Sequence, residues 1–260
     1  MLPYFFRHYD PFVDRYVLYD DGSTDATLDI LFRHPKVEVR RFVRAVPDSY
    51  VLSALALHES MWKESRARAD WVIVTAVDEH LHLPDLTAYL DLQKRSGVTA
   101  IPALGYQMLA REFPQGDDVL ARICTTGASC AWMNKLSIFD PGALDDTGYE
   151  VGRHKASPTG DVYYPANDEL LNLHFKYIGL NYAHARHQLL KAGLGATDNA
   201  NSWGHRYHFS FDELREDFLS YERRAIDIST SSVNHDRQHK EPRWWRSPND
   251  LDTSSNTAEQ

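Results

Sequence analysis

Along the first 105 residues, short strand-like apolar runs alternate with amphipathic stretches. Arg15 to Tyr19 (RYVLY) is rich in residues that favour extended backbone, and it runs straight into the polar turn Asp20-Asp21-Gly22-Ser23-Thr24-Asp25. A helix is expected next. Ser23 or Thr24 can cap it, Asp25 and Asp29 suit its positive end, Leu28, Leu31 and Phe32 share one face, and Pro35 stops it. Val37 to Phe42 predicts a second strand, and Ser53 to Ala67 a long amphipathic helix with Leu57 and Met61 one turn apart. Trp71 to Thr75 (WVIVT) is a continuous apolar run of the kind that forms a strand covered on both faces. Asp85 to Lys94 predicts a helix after Pro84, and Val98 to Leu104 a further strand. This repetition predicts an α/β fold with a mostly parallel central sheet flanked by helices.

Beyond Gly105 the pattern loosens. Gly, Pro, Asp and Asn crowd the stretch from Gly142 to Asn167, which predicts loops. Helices are expected near Asp168 to Tyr177 and over Phe211 to Ile226. The end, SPNDLDTSSNTAEQ, has the composition of a disordered tail, and no internal repeat is visible. The expected organisation is one domain in two halves, residues 1–105 and 106–228, followed by a largely disordered extension over 229–260.

Composition narrows the function classes. A chain of 260 residues with 43% hydrophobic and 25% charged side chains fits an ordinary globular domain. The net charge of −9 argues against generic nucleic-acid binding, because neutralising phosphates needs clustered Lys and Arg. The cluster Arg40, Arg41 and Arg44 and the pair Arg66 and Arg68 read as solvated faces. Two cysteines, Cys124 and Cys130, cannot build a disulfide framework or a four-cysteine zinc site. No apolar run approaches the ~20 residues that a membrane-spanning helix needs. Arg7, His8 and Asp10 near the start do not fit a signal peptide. The expected location is cytoplasmic, with peripheral attachment to the inner face of the membrane compatible with it.

Two acidic clusters follow strand-like runs, where open α/β sheets collect ligands. The first is Asp20 to Asp25 after RYVLY; the second is Ala76-Val77-Asp78-Glu79-His80 after WVIVT. Each alone also fits a helix-capping turn. Together, carboxylates at two strand ends can converge on a nucleoside on one side and a hard divalent cation on the other.

LPYFFRHYDPFVDRYVLYDDGSTDATLDIL, followed one strand and one helix later by ADWVIVTAVDEHLHLPDL, resembles bacterial glycosyltransferase family 2. The resemblance is traceable, more weakly, through GYEVGRH and LLNLHFKY to Gly195. It implies a GT-A (Rossmann-like) fold, a nucleotide-sugar donor of the UDP kind, a glycan or other hydroxyl acceptor, and Mn²⁺ or Mg²⁺ on the donor diphosphate. It places Asp20 and Asp21 at the base and ribose, with Gly22 and Ser23 shaping the turn. It makes Asp78 a metal ligand, with Glu79 behind it or facing the donor sugar, and offers His174 as a second ligand. His154 in GYEVGRH is similar to an acceptor-side element but reads better as a loop histidine. Ala76 stands where the family has the first acid of its metal motif. The resemblance also begins at the family's LPYF helix, which leads to the expectation that a first strand is missing, through a misassigned start or a truncated copy.

Family members typically invert the anomeric centre, with a carboxylate base near a helix start in the second half. Asp168 and Glu169 match that place, with Asp161 as an alternative, although both also suit a helix N-terminus. Trp132, Trp203, Tyr207, Trp244 and Trp245 supply rings on which sugars stack. Two other readings remain: a non-catalytic binding module of the same fold, and a metal-dependent hydrolase built on the pairs His80/His82, His184/His187 or His205/His208, none of which sits in a known zinc motif.

Overall fold

The computed structural model describes residues 1–247. The elements in chain order are α1 (Leu2–Tyr9), β1 (Tyr16–Asp20), α2 (Thr27–Arg33), β2 (Val37–Arg41), α3 (Tyr50–Ser60), β3 (Val72–Ile73), β4 (Glu79–His82), α4 (Leu86–Arg95), β5 (Ala100–Ala110) and α5 (Leu120–Ile123). They continue with β6 (Thr126–Ser129), β7 (Lys135–Phe139), β8 (Leu144–Asp146), β9 (Thr159–Gly160), β10 (Leu171–Ile178), α6 (Leu180–Gly193), α7 (Ala196–Ala200), α8 (Phe211–Glu222), β11 (Ile226–Asp227) and α9 (His235–Gln238). The fold is mixed α/β.

The early elements form for the local reasons that their sequences carry. Asp85 and Ser210 cap α4 and α8 by accepting from the backbone N–H three residues on. The helix after the Asp-rich turn starts at Thr27 without a Ser23 or Thr24 cap; Asp25 Oδ1 instead accepts from Thr27 N at 2.9 Å. The expected helix over residues 53–67 is α3, which begins three residues earlier and passes into a 3₁₀ turn over Met61–Ser65.

The expectation of a mostly parallel sheet does not hold. Among the described residues six of the eight strand pairings are antiparallel; only β1–β2 and β5–β10 are parallel. Strand-like patterning specifies an extended segment but not its direction, and the loop-rich second half supplies short returning strands, β6 to β9, that pair antiparallel. The helix expected near Asp168 to Tyr177 is also a strand. Leu171, Leu173, Phe175 and Tyr177 alternate with Asn172, His174 and Lys176, which is a period of two.

β5 is the spine of the larger sheet, pairing with β6, β7 and β10, and it is buried over all but its last residue. Position 105 falls within it, so the two expected halves share one sheet. β1 and β2 form a separate two-stranded sheet, yet Leu18, Val37 and Val39 pack on the same core as Ile73, Leu81 and Ile101. The extension expected to be largely disordered is packed as far as Ser247: Arg243 and Trp245 are buried. The tail beyond, residues 248–260, lies outside the described residues. No described helix is long and apolar enough to cross a membrane.

Candidate functional site

The two consecutive acids at the end of β3 face opposite ways. The chain leaves β3 through a tight turn in which Glu79 N donates to Ala76 O at 3.0 Å and Thr75 Oγ1 to Glu79 O at 2.8 Å. Tyr9 Oη then donates to Glu79 O (2.8 Å) and accepts from Leu81 N (2.9 Å), which pins β4 to α1. Phe175 N donates to Asp78 O at 2.7 Å and joins the turn to β10.

Within this frame Glu79 points into the protein. Its two carboxylate oxygens accept from Lys135 Nζ at 2.6 Å and from an Arg153 guanidinium nitrogen at 2.7 Å, and all three side chains are at most 6% exposed. Burial alone would raise the Glu79 pKa, but the two cations outweigh it and hold the carboxylate well below its ordinary range. Arg153 has a positive φ of 57° directly after Gly152 at 72°, a backbone held by its bonds to Glu79 and to Val74 O. Of the two places expected for it, behind Asp78 or facing the donor sugar, Glu79 takes the inward one, as a buried counter-ion.

Asp78 points outward. Its carboxylate lies deep among neighbouring atoms but keeps 31% exposure, and Oδ2 stands 3.7 Å from His174 Nε2. Burial works against ionisation of Asp78, yet His174 overrides it and brings the carboxyl down to about 2. The state of His174 follows from its other nitrogen. Gln107, its register partner on β5, donates through Nε2 to the carbonyls of His174 (3.0 Å) and Met108 (3.3 Å), so its Oε1 must face His174 Nδ1, 2.9 Å away. Nδ1 therefore donates to Gln107 Oε1, which leaves Nε2 directed at the Asp78 carboxylate. Two groups ~2.1 Å from a shared cation stand about 3–4 Å apart, so this spacing suits a divalent ion between them. Among the described residues no three His, Cys, Asp or Glu side chains come together, so Asp78 and His174 supply a partial shell.

Cations and tyrosines surround this pair. Lys176, two residues along β10 and on the same face as His174, lies 4.4 Å over the Tyr207 ring. Burial lowers its pKa to about 8, against the opposing pull of Asp78. The Tyr50 hydroxyl has a raised pKa through burial first, then through Asp21 and Asp78, with Arg186 and Arg44 opposing. Tyr182 is raised by burial and by Asp78 and Asp25, again against Arg186. The two acidic clusters therefore act on common neighbours. Asp198 fixes Tyr50 by accepting from Tyr50 N at 2.8 Å, while the Arg44 guanidinium lies 5.4 Å from the Tyr50 ring.

In the Asp-rich turn, Asp20 is occupied with the turn itself, accepting from Gly22 N (3.0 Å) and Ser23 N (3.2 Å). Gly22 has φ +82°, a conformation that other residues adopt only with strain. Asp21 is exposed and accepts from Arg44 at 2.8 Å; Arg44 also donates to Gly193 O at 2.8 Å. Of these residues, Asp21 faces the Tyr50 wall, while Asp20, Gly22 and Ser23 shape the turn that presents it.

No protein-family model and no curated protein matches this chain. The chemistry of the site thus rests on its geometry.

The base candidates lie elsewhere. Asp168 is 2% exposed and accepts from Arg243 (2.5 Å), Arg246 (2.6 Å) and Trp245 Nε1 (2.9 Å). Its carboxylate oxygens are thus occupied in holding the chain around Arg243–Arg246. Glu169 is exposed beside it, and both charges act on Tyr89 of α4. The reason is tertiary: Asp168 meets cations 75 to 78 positions away. The histidine pairs do not build a zinc site either: His80 is fully buried, stacked on His8 at 4.7 Å, and His187 is buried. Two surface concavities, of about 300 Å³ beside Trp203 and about 350 Å³ beside Asp70, contain neither Asp78 nor His174. Reading the sequence did not find Gln107, Lys176 or Arg186. The alternation of residues 171–177 was the signal that could have paired Lys176 with His174.

Proposed function

We propose that the chain transfers a sugar from a nucleoside-diphosphate donor, UDP-linked in the first instance, to a hydroxyl acceptor with inversion, on a GT-A-type fold. The observation that carries this reading is the Asp78–His174 pair, a carboxylate and an imidazole nitrogen 3.7 Å apart, with Tyr50 within electrostatic reach of both Asp78 and Asp21. Asp78 and His174 would hold Mn²⁺ or Mg²⁺, with the donor diphosphate supplying further oxygens, as is usual for such ions. Bound there, the ion would act as a Lewis acid toward the departing diphosphate. Tyr50, Asp21 and Arg44 form the wall available to the nucleoside. Trp132, 65% exposed and edge-on to His154 at 5.4 Å, offers a ring to an acceptor sugar. His154 feels the charges of both Glu79 and His174, which keeps this ring near the Asp78–His174 pair.

Calorimetry with UDP and a panel of UDP-sugars tests the proposal. The expected result is binding that tightens when Mn²⁺ is added, no Mn²⁺ binding without nucleotide, and loss of the metal effect in Asp78→Asn. No heat for any donor, with or without metal, would sink it. Ala76, exposed two residues before Asp78, stands where the resemblance implies a further acid and favours a second reading, a non-catalytic donor-binding module. Donor binding without hydrolysis or transfer, together with tighter metal binding in Ala76→Asp, would select that reading.

A further inference from the structure

Lys176 is anomalous among the inward-lying cations. Lys135, more deeply buried, spends its charge on Glu79, and Arg243 spends its charge on Asp168. Lys176 is half-buried, and among the described residues its ammonium makes no hydrogen bond or ion pair; its one close partner is the Tyr207 ring at 4.4 Å. A partly desolvated ammonium with its donors unused is costly, and proteins normally avoid one by pairing it. Its side chain shares a strand face with His174. Arg186 on α6 is likewise without hydrogen bond or ion pair among the described residues. Its charge acts on Tyr50, Tyr182 and Tyr207, the same tyrosines that feel Asp78. Two uncommitted cations therefore stand near the Asp78–His174 pair, where no third His, Cys, Asp or Glu joins among the described residues.

We propose that Lys176 and Arg186 grip the diphosphate of the ligand directly, so that the site binds a nucleoside diphosphate even without a divalent cation. This rests on the nucleotide-binding reading above and adds to it a fixed cationic clamp. An ammonium supplies three donors to phosphate oxygens and a guanidinium a planar fork, and charge-assisted bonds of this kind are the strong ones. Tyr207 beneath Lys176 keeps the ammonium in place and dry without neutralising it.

The experiment is calorimetric titration with UDP, GDP and ADP, in EDTA and separately in Mn²⁺. It compares the wild-type chain with Lys176→Met, Lys176→Arg and Arg186→Gln. The wild type should bind at least one of the nucleotides in EDTA. Lys176→Met should weaken that binding about tenfold or more, with most of the loss recovered in Mn²⁺. Lys176→Arg should stay close to wild type. Thermal melting checks that the variants are folded; should Lys176→Met not fold, Arg186→Gln, at an exposed helix position, carries the same comparison. Wild-type binding that appears only with Mn²⁺, or an unchanged affinity of the neutralised variants in EDTA, overturns the clamp and leaves the transferase reading standing. No binding of any nucleotide in either buffer overturns both.

Discussion

Glu79→Gln removes one negative charge and almost no volume, and it should be among the most destabilising single changes in the chain. Glu79 is the shared counter-ion of Lys135 (2.6 Å) and Arg153 (2.7 Å), with side-chain exposures of 3% for Glu79 and Arg153 and 6% for Lys135. Neutralising it strands both cations in a buried site. Breaking a buried pair from one side costs roughly 3–5 kcal/mol, against a total stability of about 5–15 kcal/mol for a domain. At 2–4 °C per kcal/mol for a chain of this size, the melting temperature should fall by about 6–20 °C. The neighbouring Asp78→Asn is the control: its carboxylate is 31% exposed and its one close ionisable partner, His174, is 3.7 Å away and not a fixed buried cation, so the change should cost clearly less than Glu79→Gln. Urea unfolding followed by tryptophan fluorescence at pH 7 measures both. Alkaline pH adds a second readout. Burial lowers the Lys135 pKa while Glu79 opposes the shift, so in the variant Lys135 should lose its proton earlier and part of the stability should return as pH rises. The wild type shows its own pH dependence in the acid range: the depressed pKa of Glu79 gives stability above its unfolded value near ~4.3 that is lost as pH falls through the folded value. A Glu79→Gln midpoint within about 1 kcal/mol of wild type, or an equal loss in Asp78→Asn, would refute the assignment of inward and outward roles.

Asp168→Ala should cost about 3–5 kcal/mol and expose residues 235–246 to limited proteolysis, because Arg243 loses a buried partner; a folded, protease-resistant variant that has lost only turnover would restore Asp168 as the base. The stacked pair His8 and His80 makes the fold acid-sensitive. Burial holds His8 down to about 4 and His80 well below the ordinary value, while the unfolded chain takes up these protons near ~6.5. Between those values the unfolded state binds more protons, so stability should fall with falling pH by ~1.4 kcal/mol per unit for each histidine kept neutral. His80→Phe, which keeps a ring among Phe5, Tyr9 and Phe175, should make that slope shallower in urea melts at pH 7, 6 and 5; an unchanged slope would place the acid sensitivity elsewhere.

The sequence by itself determined the elements whose signals are local. β1, α2, β2, α4 and α8 lie close to where hydrophobic period, capping residues and Pro35 put them, because each depends on contacts within a few residues. It also singled out Asp78 and His174, which the fold brings within 3.7 Å of each other, although the apolar run before Asp78 forms only the short, half-buried β3. Strand direction was not legible, because a period of two is the same in parallel and antiparallel ladders. Nor was the division of labour between neighbouring acids. Asp78 and Glu79 differ by one position, and what turns one outward and one inward is a turn pinned by Tyr9 and cations 56 and 74 positions away. Asp168 has the composition of a helix start or a base, and only Arg243 and Arg246, returning from the far end of the described chain, make it a structural counter-ion. Charges pair through space, and a buried charge takes the partner that the fold brings to it. The sequence therefore named the candidate acids, and the tertiary structure decided which of them remains free to meet a ligand.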